Sequence, residues 1–299
     1  MLARLLRNMI LMQVLLGACL GYWLGRDSTW PALTALITAV VLPFFSMLLV
    51  DTYSALRSRG AEPMGKWWRA LFGEYRAGFI VFLFRQPWSR QPPVVLPPIT
   101  GTARVPVVLI HGYMCNQRIW DDISSALRQR GHTVVAVNLE PLFTSIDRYA
   151  PIVEAAVDEL CRTTGAHQVA LVGHSMGGLA IRAWIRLHGT GRVARAMTLG
   201  TPHQGTKIAS HVHSTNGKQM VWKSRWLAAL EASETDAIRA LFRIALTPQD
   251  NIVFPQREQV MPGVVPQVFE GLGHVQLCLA PEVIQWVAQQ LELLPHAGT

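Results

Sequence analysis

The chain has 299 residues, half of them hydrophobic and only 15% charged, with a formal net charge of +8. A charged share so far below the about 25% of an average soluble domain excludes disordered, collagen-like and acidic-tail classes, and implies that part of the chain sits in lipid or is very deeply buried. The length suits one α/β domain of about 200–250 residues with an attached segment. The charge is uneven: residues 1–100 carry 10 Lys/Arg against 4 Asp/Glu, and residues 101–299 carry 17 against 15, so +6 of the +8 belongs to the apolar N-terminal third. This fits anionic lipid headgroups as the partner and argues against nucleic acid. Cys19, Cys115, Cys161 and Cys278 show no paired spacing, so neither a disulfide framework nor a zinc knuckle is expected.

Residues 8–25 contain 18 positions without a charge and residues 30–50 contain 21. As helices they measure about 27 and about 31 Å against a hydrocarbon core of about 30 Å, so both are long enough to span. The four-residue connection Arg26-Asp27-Ser28-Thr29 forces an antiparallel hairpin over 1–50. Ser28 or Thr29 is available as N-cap, Pro31 falls in the first turn, and Trp23 and Trp30 suit the membrane interface. Pro43 lies inside the second span. A cleaved signal peptide is the alternative, with Arg4 and Arg7 as its basic region and Leu16-Gly17-Ala18-Cys19 as a loose cleavage box; the apolar run continuing through Leu24 argues against it. Arg4 and Arg7 before the hairpin, and Arg57, Arg59, Lys66 and Arg69 after it, place both ends in the cytoplasm by the positive-inside rule. No residue of 1–50 is a credible acid, base or nucleophile. The hairpin is therefore expected to supply location rather than chemistry, and removal of residues 1–49 to leave a soluble, active protein.

Residues 51–100 form a basic juxtamembrane segment. Trp67, Leu71, Tyr75, Phe79 and Phe82 recur near a helical period with Lys66, Arg69 and Arg76 between them, which predicts an interfacial amphipathic helix; a helix packed on the following domain is the alternative. Gln91-Pro92-Pro93 and Pro97-Pro98 make residues 86–100 a proline-rich linker with at most a short edge strand.

From there on, short β-branched runs at 107–110, 133–137, 168–172 and 194–199 alternate with helical stretches at 119–129, 149–162 and 176–188. Such alternation predicts a parallel sheet covered on both faces, with the chemistry at the carboxyl ends of its strands. The run Val169-Ala170-Leu171-Val172 leads directly into Gly173-His174-Ser175-Met176-Gly177-Gly178 and a helix. That is the strand, tight turn and helix in which a GxSxG serine is exposed as a nucleophile. At His111-Gly112-Tyr113-Met114 a glycine-containing turn ends the neighbouring strand. The backbone amides of Tyr113 and Met176 are thus candidates for an oxyanion hole. His111 reads as a residue shaping that loop, because a base must reach the serine from another element.

Taken together, residues 107–112, Thr164-Gly165-Ala166, residues 171–179 and Leu199-Gly200-Thr201-Pro202-His203-Gln204-Gly205-Thr206 resemble the bacterial lipases and esterases of the α/β-hydrolase superfamily. The resemblance covers about 106–294 and leaves out the N-terminal third. It implies an α/β-hydrolase fold over 101–299 and a triad in the order serine, acid, histidine; the two spans and the basic residues around them add the expectation of a bacterial inner-membrane setting. The residues also point to the acid and base directly. His274 stands in Glu270-Gly271-Leu272-Gly273-His274, a glycine-rich turn between a strand-like 267–269 and a helix at 281–294, where a base can take the serine proton. His296, the other late histidine, falls in a tail. Asp250, in the loop after the strand at 242–246, is the expected partner of His274, with Glu258, Glu270 and Asp236 as rivals that read more simply as solvated carboxylates. His211 and His213 lack nearby ligands, so no metal site and no cofactor are expected. The insertion at about 205–242, rich in Trp and Leu, suits a lid over an acyl cleft; an ordinary packed helix pair is the alternative. The expected function is a membrane-anchored serine ester hydrolase acting on a lipid or acyl-ester substrate through Ser175, His274 and Asp250. The alternatives are an acyltransferase or thioesterase with the same triad, or an inactive membrane interaction module.

Overall fold

The computed structural model describes residues 1–100 and 104–294; His296 lies outside the described residues. Two long helices come first, α1 (Leu2–Gly25) and α2 (Pro31–Ser58), with Pro31 in the first turn of α2. Both outrun the apolar stretches of the sequence, because their basal ends continue onto the rest of the protein. Their distal halves are clamped by a small-residue face: Gly17, Gly21 and Gly25 repeat every four residues and pack on Thr34, Thr38 and Ala39. A Cβ on Gly21 would lie 1.8 Å from Thr38 Oγ1, and one on Gly17 would lie 2.5 Å from the Thr38 carbonyl. With no side chain on the glycine face, Thr38 Oγ1 donates across to the Gly17 carbonyl at 2.7 Å, a close approach that small residues permit.

Helix α3 (Met64–Gly78) takes the packed alternative. Trp67, Leu71 and Tyr75 bury against Ala55 of α2, and the Trp67 indole donates to the Ala55 carbonyl at 3.3 Å. Ala77 and, in the π-helical turn that follows, Val81 enter the core of the main domain. The reading as a free interfacial helix is corrected to that extent, although Trp68 and Phe72 remain exposed on its other side. The proline-rich stretch contains one short strand, β1 (Val95–Leu96).

The main domain runs β2 (Arg104–Ile110), α4 (Asp121–Gln129), β3 (His132–Ala136), α5 (Ala150–Thr164), β4 (Val169–His174), α6 (Met176–His188) and β5 (Val193–Leu199). It continues with α7 (Thr215–Gln219), α8 (Arg225–Ala232), α9 (Asp236–Ala240), β6 (Phe242–Leu246), β7 (Gln267–Val268) and α10 (Pro281–Glu292). Among the described residues the strands form one sheet in the order β1-β3-β2-β4-β5-β6-β7, parallel throughout except for β1 against β3. The two-residue period of a strand explains the two cores. Val108 and Ile110 point into one with Tyr149, Leu179 and Trp184, while Val107 and Leu109 point into the other with Trp120, Leu277 and Val287.

The insertion at 205–242 is a packed layer. Ala209, Met220 and Leu227 share the core of α6, and Arg182 of α6 pairs with Glu234 through two contacts, 2.6 and 3.0 Å, with both side chains almost fully buried. Lifting this layer would strand two buried charges, which runs against its expected role as a lid.

Candidate active site

The sheet's carboxyl edge is where β4 ends and the chain turns sharply into α6. Ser175 occupies that turn with φ 54° and ψ −127°, a strained backbone for a residue with a side chain. The flanking glycines make it sterically possible: a Cβ on Gly177 would lie 2.0 Å from the Ile110 carbonyl, and one on Gly173 would lie 2.5 Å from the Gly178 nitrogen. The GxSxG spacing is thus the trace of a helix start pressed against β2. Thr201 Oγ1 donates to the Ser175 carbonyl at 2.9 Å and braces the turn from the end of β5.

His274 and Asp250 come from the loops after β7 and β6. His274 Nδ1 donates to Asp250 Oδ2 at 2.8 Å, and the other carboxylate oxygen accepts from the amides of Ile252 at 2.8 Å and Val253 at 2.7 Å. Burial opposes protonation of the His274 ring. The Asp250 charge and hydrogen bond, with a further contribution from the Glu74 charge, outweigh it and raise the pKa above 6.5. Held in this way, the ring keeps its proton on Nδ1, which leaves Nε2 as its basic nitrogen. Ser175 and His274 line the same cavity, and among the described residues no hydrogen bond joins the Ser175 hydroxyl to the ring, a contact that commonly tightens only when substrate binds. The rival acids are elsewhere: Glu270 pairs with Lys66, Asp236 with Arg239, and Glu258 is exposed. His211 and His213 are exposed as well.

The amide of Met176, at the first position of α6, and that of Tyr113, after β2, flank Ser175, and neither donates to a protein acceptor among the described residues. The positive end of the α6 dipole adds to whatever stabilisation an oxyanion finds there. Between them Gly112 sits so close to the serine that a Cβ would lie 2.7 Å from Ser175 Cβ. His111 is a strut: Nδ1 donates to the Gly112 carbonyl at 2.9 Å, and Nε2 accepts from the Leu139 amide at 3.0 Å. Burial lowers its pKa to about 4, so it stays neutral. His174, beside the serine, is also held neutral by burial, and its Nε2 donates to the His274 carbonyl at 3.1 Å.

What the sequence did not reveal is the N-terminal wall. Of the residues lining the 530 Å³ cavity over Ser175, Leu6, Met9, Ile10 and Gln13 belong to α1, and Ser46, Met47, Val50 and Asp51 belong to α2. No residue of 205–242 is among them, so the cap expected from the insertion is supplied by the hairpin. Helices α2 and α3 also brace the loops of the acid and base. Asn251 donates from Nδ2 to Ser54 of α2 at 3.1 Å and accepts the His274 amide at 3.3 Å. Glu74 of α3 accepts the amides of Val275 at 2.9 Å and Gln276 at 3.0 Å. Burial, followed by the nearby Asp51 carboxylate, raises the Glu74 pKa to about 7, against the His274 charge and the two amides, which lower it. The available signal for Glu74 was an acid on the apolar face of α3, three residues after Leu71 and next to Tyr75. Where location alone was expected of the hairpin, its side chains line the cavity that holds Ser175 and His274.

A parallel sheet with a serine on a strained turn after β4, and a histidine and aspartate on later loops, defines the α/β-hydrolase class. Residues 107–288 match the alpha/beta hydrolase family, and the chain belongs to it. Two relatives are triacylglycerol lipases. That of Burkholderia plantarii is 34% identical over 134 residues, 42% of this chain and 37% of the relative. That of Pseudarthrobacter phenanthrenivorans is 35% identical over 122 residues, 38% of this chain and 37% of the relative. The chain thus spans little more than a third of the length of the curated relatives it matches. The mature form of a Bacillus licheniformis lipase superposes with a TM-score of 0.59 at 15% identity, over 68% of this chain and 99% of that one, a likeness of fold.

Proposed function

We propose that the protein is a membrane-anchored serine ester hydrolase. Ser175 is the nucleophile, His274 the general base and then acid, and Asp250 the residue that orients the imidazole. The observation that carries this reading is one cavity holding a serine on a strained strand-to-helix turn together with a histidine whose Nδ1 is fixed at 2.8 Å on a buried carboxylate. His274 Nε2 takes the hydroxyl proton as Ser175 Oγ bonds to the ester carbon. The Tyr113 and Met176 amides receive the developing oxyanion. As the carbonyl re-forms, the ester C–O bond breaks and the alcohol leaves with the proton from His274. Water then repeats the sequence on the acyl-enzyme, releasing the carboxylic acid and regenerating Ser175. Lipase relatives support an acyl-ester substrate.

Both apolar helices qualify by length and hydropathy as membrane spans, and the Gly17-Gly21-Gly25 contact supports a retained hairpin over a cleaved signal peptide. The basic residues flanking the hairpin support a bacterial inner membrane with the catalytic domain on the cytoplasmic side. A fluorophosphonate probe should label the wild-type protein and not Ser175→Ala; an unlabelled wild type would refute the nucleophile. A C-terminal reporter that works only in the periplasm, if active, would overturn the orientation.

A further inference from the structure

The hydrolase reading leaves most of the cavity without a task. Beyond Ser175 and His274 the space extends beneath the hairpin, walled by Leu6, Met9 and Ile10 of α1, Met47 and Val50 of α2, and Phe82. The α1 positions follow a spacing of three and four residues and the α2 positions do the same, so each helix turns one face inward. Gln13 Nε2 donates to Ser46 Oγ at 2.9 Å across the hairpin. Distal to that bond the glycine face keeps the helices in contact; on the basal side both helices line the cavity. Met9 and Val50, which line the cavity from the two helices, are 39% and 64% exposed, so this apolar stretch of the wall is open rather than sealed.

Depth agrees with this. Arg4 and Arg7 on α1 and Arg57 on α2 mark the headgroup level at the base. Met9 to Gln13 lie two to six residues beyond Arg7, about 3–9 Å deeper along a helix, where headgroups give way to acyl chains. An ester held in a bilayer has its carbonyl at this boundary and its chain on the hydrocarbon side. The cavity has the same polarity order, with the reactive serine and buried carboxylates at the base and aliphatic side chains along the hairpin.

We propose that the hairpin is the acyl-chain receptor: a membrane-resident acyl ester enters sideways from the bilayer between α1 and α2, lays its chain against Leu6, Ile10 and Met47, and presents its carbonyl to Ser175 without leaving lipid. This rests on the hydrolase reading above. Lateral entry spares the chain a passage through water, whose cost grows with every methylene, so the enzyme is built for long-chain, bilayer-dissolved esters. The cavity's 530 Å³ falls within the about 300–1,000 Å³ of sites that enclose a small ligand.

The test uses the full chain in proteoliposomes and reads the ratio of turnover for a long-chain ester dissolved in the bilayer to that for a short, water-soluble ester. Met9→Trp and Met47→Trp, which fill the mouth from opposite helices, should each lower this ratio about tenfold or more. Leu36→Trp, at a lipid-facing position away from the cavity, should leave it unchanged. A short-alkyl fluorophosphonate reports whether Ser175 is still assembled. Labelled variants with an unchanged ratio overturn the lateral route. Loss of labelling in both tryptophan variants also overturns it, since the wall would then hold the site together rather than receive a chain. A wild type that neither labels nor hydrolyses either ester fails at the hydrolase reading itself, so the two failures are told apart.

Discussion

The helical hairpin, α1 and α2, and the main domain from Arg104 onward place apolar side chains by opposite rules. In the main domain the strands place every Val and Leu of 107–110 inside, so that hydrophobicity and burial coincide. In the hairpin they separate: Leu15, Leu36, Val41 and Leu49 are exposed, whereas the inward faces carry Gly17, Gly21 and Ser54. The outer surface of the hairpin is apolar and exposed, and its inner surface allows close approach through small residues. The apolar third thus turns exposed aliphatic side chains outward, while its inner side packs closely through small residues at one end and lines the cavity around Ser175 at the other.

The sharpest way to break the comparison is to remove the chemistry from the main domain alone. Ser175→Ala or His274→Ala should each lower kcat by a factor of about 10⁴–10⁶, and the double variant should lose little more, because the pair acts as a unit. Steady-state kinetics of the three variants checks this, and multiplicative losses would separate the two residues. Next in size is the buried pair that fixes the insertion. Arg182→Met should destabilise the fold by about 3–5 kcal/mol by leaving Glu234 buried and uncompensated, measured by denaturant unfolding in detergent. A loss below about 1 kcal/mol, the scale of an exposed pair, would mean that this layer opens readily, and the hairpin would lose its standing as the cap.

Removing residues 1–49 tests the comparison from the other side. It deletes all of α1 and the Ser46 and Met47 wall, although Asp51 and Ser54 remain. With one wall of the pocket gone, turnover even of small soluble esters should fall about 10²-fold, the scale of a misplacement near 1 Å. A truncate that labels and turns over like the intact protein would restore the hairpin to a purely locating role.

How much of this was legible follows from which contacts are local. GxSxG, the alternating strands and the late His274 are short patterns whose meaning is set within a few residues, and Asp250 follows from the end of β6. The two long apolar helices were legible from length and hydropathy. The meaning of Gly17, Gly21 and Gly25 depends on a partner helix, and that of Met9, Met47 and Glu74 on a surface more than a hundred residues away. The 205–242 insertion misled because aromatic content does not say which side it faces. Trp226 packs on the core of α6 and donates to Asp147 at 2.9 Å, so it is spent on structure.

The smallest effect sought is a displacement in pH. His274 must be neutral to accept the Ser175 proton, so kcat/KM is full above its pKa and lost as pH falls through it. Because Asp250 and Glu74 together outweigh burial and raise that pKa above 6.5, the acid limb should lie above the pH of an unperturbed imidazole. Glu74→Gln removes one of the two negative charges while Asp250 keeps the hydrogen bond, so His274 should give up its proton at lower pH and the acid limb should move down. The shift should be smaller than the one caused by removing Asp250. Glu74 titrates at about 7 itself, so the wild-type limb should also be broader than a single ionisation, and the variant's should narrow. A merely structural Glu74, bracing Val275 and Gln276, would lower the plateau and leave the midpoint in place. A pH profile of kcat/KM on a soluble ester distinguishes the two, and an unmoved or rising midpoint would mean that α3 reaches His274 through its loop alone.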